Sequence, residues 1–243
     1  MSDIKQYGNH FTFDDIVSSD YYVWISGSGT FDAPVRSVEY IQIPGRSGDL
    51  IRENNRYNNI DITYPCFISK AFPNRFDAFR AKLMSKAGHY YLLQDTYHPA
   101  EFRMATITGS IQPETGPFNQ AGQFDLTFNC KPQRYLVSGL IEQEYTASGT
   151  ITNPTLFTAK PHIRIYGTGT LVIGAVSITI ASNSYEYIDI DCEAMDCFYQ
   201  ANNANGYVSI TGTSFPTLGP GATNVLLGTG ITRVVFTPRW FTI

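Results

Sequence analysis

Three carboxylates at a spacing of two, Asp189, Asp191 and Glu193, are the residues best placed to do chemistry. On a strand, positions i, i+2 and i+4 share one face. Three carboxylates there would bind Ca²⁺ if loop carbonyls joined them. No EF-hand-like glycine or loop spacing accompanies them, and such an acidic row is expected to be a solvated strand face. The histidines are His10, His89, His98 and His162. His89 is expected just past a helix C-terminus, where the dipole mildly favours an imidazolium, and His98 precedes Pro99 in a turn. None belongs to an H-E-x-x-H or nucleophile-elbow pattern. Gly27-Ser28-Gly29 has the look of a nucleophile or phosphate loop but lacks a following GK[ST] and a helix, so a hairpin turn is expected. Cys66, Cys130, Cys192 and Cys197 are too few for a disulfide scaffold. Cys192 and Cys197, five apart, would face opposite sides of one continuous strand. No C-x₂-C pair with a matching partner supplies zinc ligands, and the four are expected to be buried, free thiols. These positions offer no catalytic, metal or cofactor constellation, and no enzyme is expected.

Pro44, Gly45, Arg46, Ser47, Gly48, Asp49 and Leu50 differ in kind. Two glycines and a proline around an arginine and an aspartate specify a tight turn between apolar strands at 38–43 and 50–51. Arg52, Arg56 and three asparagines between 54 and 58 follow in a polar, extended stretch. The plain reading is a turn with a solvated flank. The functional reading is an arm, about residues 44–59, that projects and pairs with a neighbour. Pro44, Gly45, Arg46, Gly48, Asp49, Arg52 and Arg56 are then the candidate inter-subunit residues.

The elements that must position this arm are mostly strands. Positions 124, 126, 128 and 130 (Phe, Leu, Phe, Cys) alternate with polar neighbours, and 101–111 reads as another strand. One helix is expected over about 74–87. Asn74 would cap it, with Asp77 as the capping-box acid; Phe76, Phe79, the stem of Arg80 and Leu83 form its buried face, and Gly88 ends it. Beyond 135 every segment reads as a strand. His162 to Tyr166 is expected to meet Leu171 to Ile173 as a hairpin across Gly167-Thr168-Gly169-Thr170. Further strands flank Asn183-Ser184 and the loop from Phe215 to Gly221. Short strands with turns at this spacing argue for a β-sandwich of about 100 residues.

Composition bounds the rest. Lys and Arg number 17 against 21 Asp and Glu, a net charge of −4, which gives no electrostatic case for nucleic acid or an anionic membrane. No apolar run approaches the roughly 20 residues of a membrane span, and no apolar signal region is visible at the N-terminus. The chain is expected to be globular, soluble and made in the cytoplasm. Residues 1–135 hold 27 charges and residues 136–243 only 11, so a domain boundary is expected near 135.

The segment Ile43-Pro44-Gly45-Arg46-Ser47-Gly48-Asp49-Leu50 resembles the "PGR-x-GDL" signature of distal tail proteins, known as Dit, of long-tailed non-contractile phages and related prophages. Tyr91-Leu92-Leu93-Gln94-Asp95 with Phe102-Arg103-Met104-Ala105 resembles the family's post-helix segment, in which an aspartate precedes an R-x-A strand. Phe128-Asn129-Cys130-Lys131-Pro132-Gln133-Arg134 is similar to the "F-x-C-x-P-x-R" end of its first domain. Asn153-Pro154-Thr155, Lys160-Pro161-His162-Ile163 and Gly167-Thr168-Gly169 resemble the opening of its second. Phe215-Pro216, Leu218, Pro220-Gly221, Asn224 and the closing Pro238-Arg239-Trp240 are similar to its C-terminal portion. The resemblance runs, in the family's order, from about residue 20 to the end.

It implies a mainly β fold: a ring-forming domain at 1–135 with one helix, and an outward-facing galectin-like β-sandwich at 136–243. It implies a structural virion protein at the distal end of the tail, assembled in the bacterial host. Six copies would form a ring, single or back-to-back, with a central channel for DNA passage. Its partners would be the major tail tube protein above, a tail-tip, fibre or lysin protein below, and baseplate or receptor-binding proteins around it. Neither membrane nor sequence-specific nucleic acid is a partner, and no cofactor is implied. Some members carry a carbohydrate-binding insertion in the second domain; here 108 residues suffice only for the sandwich, whose single tryptophan is Trp240. The sandwich is expected to be a docking surface. The alternative is a tail adhesin that binds carbohydrate through it.

Overall fold

The computed structural model describes residues 8–27, 31–212 and 214–243; Ser28 and Gly29 of the Gly-Ser-Gly motif lie outside them. The chain divides into two compact units, one of residues up to Arg134 with Ile243, the other Tyr135–Thr242. It is mainly β, with one α-helix among the described residues, as the fold class read from sequence required. That helix is not long and apolar enough to cross a membrane.

The first unit is an antiparallel sheet. Its strands run in the order Ile16–Val17, Phe11–Phe13, Tyr91–Asp95, Glu101–Ile107, Gly122–Cys130, Ile60–Ile68, Trp24–Ile25. The longest pair, Gly122–Cys130 with Ile60–Ile68, is in register over nine residues. Alternation puts Phe124, Leu126, Phe128 and Cys130 beside Ile62, Tyr64, Cys66 and Ile68 in one core. Phe11 packs against Tyr64, Phe79 and Phe128, and Tyr64 against Phe128, with ring centroids 5.5 to 6.3 Å apart, so aromatic packing carries much of this core.

The helix, Phe72–Met84, buries Phe72, Phe76, Phe79 and Leu83 on that core. It starts two residues before the expected position, and Asn74 does not cap it. The N-cap is Ala71 in a left-handed conformation, without a side-chain cap. Pro73 in the first turn has no N–H to satisfy, and the Phe72 N–H donates to the Gln120 carbonyl at 3.2 Å. A backbone carbonyl from the turn before strand Gly122–Cys130 replaces the cap. Arg80 is exposed and pairs with Asp77 at 2.9 Å, so the apolar stripe gains Phe72 in place of the arginine stem. Lys82 and Lys86 reach Asp15 and Asp14 at 2.8 and 2.5 Å, tying the helix end to the first hairpin.

The second unit is a sandwich of two antiparallel sheets. One has the order Gln143–Tyr145, Ile231–Thr237, His162–Gly167, Tyr187–Asp191, Asp196–Tyr199, Asn202–Asn203. The other has Gly149–Asn153, Gly221–Leu227, Gly169–Ile173, Val176–Ile180, Val208–Ile210. Ile163, Ile165, Ile188, Ile190 and Phe236 from the first meet Leu171, Ile173, Ile178, Ile180 and Val225 from the second. Here the expected hairpin across residues 167–170 is corrected: its two strands lie in different sheets. Gly167-Thr168-Gly169 is a corner by which the chain crosses from one sheet to the other. Gly228-Thr229-Gly230 carries it back at the neighbouring position. Periodicity cannot separate a hairpin from a crossing, because both need a glycine turn.

Candidate assembly surface

Residues 36–57 form a two-stranded ribbon, Arg36–Ile41 against Leu50–Tyr57, that joins no other sheet. The polar, extended stretch from Arg52 to Arg56 lies in its second strand. The turn is closed by the Arg46 N–H donating to the Ile43 carbonyl at 3.1 Å, with Gly45 and Gly48 at φ of 79° and 87°. Arg36 pairs with Glu53 and donates to the Tyr57 hydroxyl at 3.1 Å at the base of the ribbon.

Every residue from 39 to 56 is exposed, including Pro44, Gly45, Arg46, Gly48, Asp49, Arg52 and Arg56. Arg52 lies 3.7 Å from Glu39. Arg46, Asp49 and Arg56 make no ion pair among the described residues. The sequence did not show that the ribbon's apolar residues have no cover. Tyr40 opposes Ile51 on one face and Ile41 opposes Leu50 on the other, and the four are 37 to 63% exposed. A two-stranded ribbon is marginal in water, and apolar pairs on both faces are the mark of a segment covered by another chain. The only sequence signal was that these residues are apolar at adjacent positions, a pattern shared with a buried strand.

The acidic row departs from its expected solvated face. Asp189 is 3% exposed. Arg164 grips it with two bonds of 2.8 and 3.1 Å, and His162 lies 3.5 Å away. Burial lowers the pKa of His162 against the pull of Asp189. Asp191 takes a paired grip from Arg239 at 2.9 and 2.8 Å and accepts the N–H groups of Glu193 and Ala194. Glu193 alone is exposed, 3.3 Å from Lys160. The row is therefore structural: the arginines that hold Asp189 and Asp191 come from 25 and 48 residues away in the sequence. No group of three His, Cys, Asp or Glu side chains able to hold a metal occurs among the described residues. The four cysteines are free and buried; burial pushes Cys130 and Cys192 up to about 12 and Cys197 to about 11, leaving thiols inert at neutral pH.

Asp191 carries a testable pH dependence. Burial works against its charge, but Arg239 and the two N–H groups win and hold its pKa at about 2. An unfolded aspartate titrates near 3.9, so the carboxylate adds stability above about pH 4 and loses it as pH falls towards 2. With solvent screening, about 1 kcal/mol is expected. Between pH 5 and 2, thermal melts followed by Trp240 emission should lose that much more stability than Asp191→Asn does. Parallel curves would contradict the assignment.

No protein-family model matches the chain, and no curated protein matches it in sequence. Solved structures do match in fold. The Dit (gp 19.1) protein of phage SPP1, described as a paradigm of hub adsorption apparatus in phages infecting Gram-positive bacteria, aligns with a TM-score of 0.69 at 12% identity, over 94% of this chain and 97% of that one. A chain of the phage P2 baseplate in its activated conformation with calcium gives 0.53 at 9% identity, over 94% and 97%. A phage p2 baseplate chain with strontium gives 0.51 at 10%, over 93% and 97%. Both units thus share, along nearly their whole length, the fold of phage hub and baseplate proteins.

Proposed function

We propose that this chain is a distal tail hub: a structural virion protein whose copies close into a hexameric ring between the tail tube and the tail tip, with a central channel for DNA. The observation that carries this is the fold shared with a phage hub protein over 94% of the chain. The exposed ribbon agrees with it, because an apolar arm without cover in one chain calls for a neighbour. In this reading the first unit (1–135) makes the ring, and the arm lies in the subunit-to-subunit belt with Arg46 and Asp49 as cross-chain charges. The second unit (136–243) faces outward and docks baseplate or receptor-binding proteins. The tube protein and a tip, fibre or lysin protein stack on the ring's two ends, and assembly takes place in the host cytoplasm.

The glycan-binding alternative has less support. On and beside the six-stranded sheet the polar groups suited to a sugar, Arg164, Asp189, Asp191 and Arg239, are spent on one another. Arg164 and Arg233 stack on Tyr187 and Tyr166, 4.2 and 3.8 Å from the ring centres.

Light scattering with negative-stain imaging of the same peak tests the ring. The expected species is near six times 27.1 kDa, or twice that, seen as rings with a central hole. Ile51→Ser should weaken each contact about tenfold, from the loss of roughly 1.5 kcal/mol of apolar burial, and the loss compounds around a closed ring. Rings that form as readily with Ile51→Ser, and with Arg46→Ala and Asp49→Ala together, would remove the arm from the belt.

A further inference from the structure

A small polar cavity lies in the first unit beside strand Glu101–Ile107. Asp95, His98, Glu101, Arg103 and Arg134 line it together with Tyr64, and its volume is about 30 Å³, room for about two water-sized atoms. Strand geometry explains the meeting. Glu101 and Arg103 are two apart on one strand and share a face. Asp95 ends the strand Tyr91–Asp95 that pairs with it, and Arg134 arrives from 33 residues beyond Glu101.

The charges that line the cavity are unevenly matched. Arg134 holds Glu101 with two bonds of 2.7 and 2.6 Å. Asp95 takes the Tyr64 hydroxyl at 2.6 Å and, from its own turn, the N–H groups of Tyr97 and His98 and the His98 ring. Arg103 makes no ion pair among the described residues. One of its N–H groups reaches the Pro132 carbonyl at 3.5 Å, the far limit of a hydrogen bond. Burial pushes the Arg103 pKa down, and the charge of Arg134 beside it works the same way. A half-buried guanidinium therefore faces the cavity next to a second one, while both carboxylates are held by other donors.

A planar oxyanion answers that arrangement. Its two oxygens accept a pair of parallel N–H bonds from one guanidinium, and its charge offsets both arginines. The volume suits two oxygens on a single carbon; a tetrahedral sulfate or phosphate, with about twice the oxygens, is too large. A cation would meet the two arginines instead. We propose that this cavity is a carboxylate-binding site, in which Arg103 takes both oxygens of the head group and Arg134, already paired with Glu101, adds its charge. The site is complete within one chain and stands apart from the hub reading. A free small carboxylate and an aspartate side chain of another protein carry the same head group.

Saturation-transfer NMR of the full chain with sodium acetate, read on the acetate methyl, tests the site. Half-saturation is expected on the order of 1–10 mM. Arg103→Lys keeps the charge without the fork and should weaken binding about tenfold, while Arg103→Gln should abolish it. The lysine variant keeps the test readable if the glutamine variant does not fold. Arg233→Gln, in the second unit, should leave binding unchanged, and sulfate at equal ionic strength should not displace acetate. N-acetyl-aspartyl amide presents the same group on a peptide. Binding of both probes assigns the site to an acidic side chain of a partner; binding of acetate alone assigns it to a free carboxylate. No transfer up to about 50 mM acetate, equal affinity in wild type and Arg103→Lys, or displacement by sulfate each overturns the proposal.

Discussion

Gly230→Ala is expected to lower the melting midpoint of the second unit by at least about 15 °C while that of the first unit is unchanged. Two glycine corners cross where neighbouring strands change sheets together. The Thr168 N–H donates to the Gly230 carbonyl at 3.1 Å, and the Gly228 N–H to Thr170 at 2.8 Å. A Cβ on Gly230 would sit 2.1 Å from the Thr168 carbonyl oxygen, and one on Gly167 would sit 2.2 Å from the Gly230 oxygen. These neighbours are backbone and cannot rotate away. The corner must open, which costs about 1–3 kcal/mol in packing and about 1 kcal/mol for each of the two bonds. The left-handed φ of 91° at Gly230 adds about 1–2 kcal/mol for any L-residue. A loss of about 4–7 kcal/mol is a large part of a domain's whole stability, enough for a midpoint shift of that size.

Gly221→Ala separates the two causes. Gly221 also has a positive φ, 81°, but nothing lies within 4 Å of its missing Cβ, so only backbone strain is lost there. Trp24 is buried in the first unit and Trp240 in the second, and a Trp24→Phe background leaves Trp240 emission to report the second alone. Equal midpoints for Gly230→Ala and Gly221→Ala would sink the crossing argument.

How much of this could be read in advance follows from where each cause lies. Strand 122–130 was legible because its pattern is local: Phe124, Leu126 and Phe128 alternate with Asp125 and Thr127, and one buried face explains them. The helix face was legible from its period, its first turn less so, because the Phe72 N–H is capped by the Gln120 carbonyl, 48 residues away in a turn. Asp189 read as solvated because nothing near it in sequence is a cation; burial came from Arg164 and His162 across a strand pairing. The arm's turn was legible from proline and glycine chemistry at Pro44, Gly45 and Gly48. Its exposure was not, since Tyr40, Ile41, Leu50 and Ile51 are as apolar as a core strand.

The same contrast between local and distant causes makes Asp95→Ala a strongly damaging change in the first unit. Asp95 ends strand Tyr91–Asp95, and its buried carboxylate gathers four donors. The hydroxyl of Tyr64 reaches it at 2.6 Å, the backbone N–H groups of Tyr97 and His98 at 3.0 and 2.9 Å, and the His98 ring at 3.2 Å. The two N–H bonds form the turn that sends the chain back into strand Glu101–Ile107, while the Tyr64 bond fixes that turn to strand Ile60–Ile68. Burial and the nearby Asp95 push the Tyr64 pKa upward, so the phenol stays a donor at all working pH values. Alanine leaves that hydroxyl and two N–H groups without an acceptor, which costs about 3–4 kcal/mol once turn and core groups are counted together. Asp95→Asn keeps an oxygen for the turn and should cost about 1–2 kcal/mol. Tyr64→Phe removes the remote donor alone. In a double-mutant cycle on the full chain, Asp95→Ala should therefore cost less by about 1–2 kcal/mol when Tyr64 is already phenylalanine. Strict additivity would mean that the aspartate only closes its own turn, and that the edge of this sheet is held by packing alone.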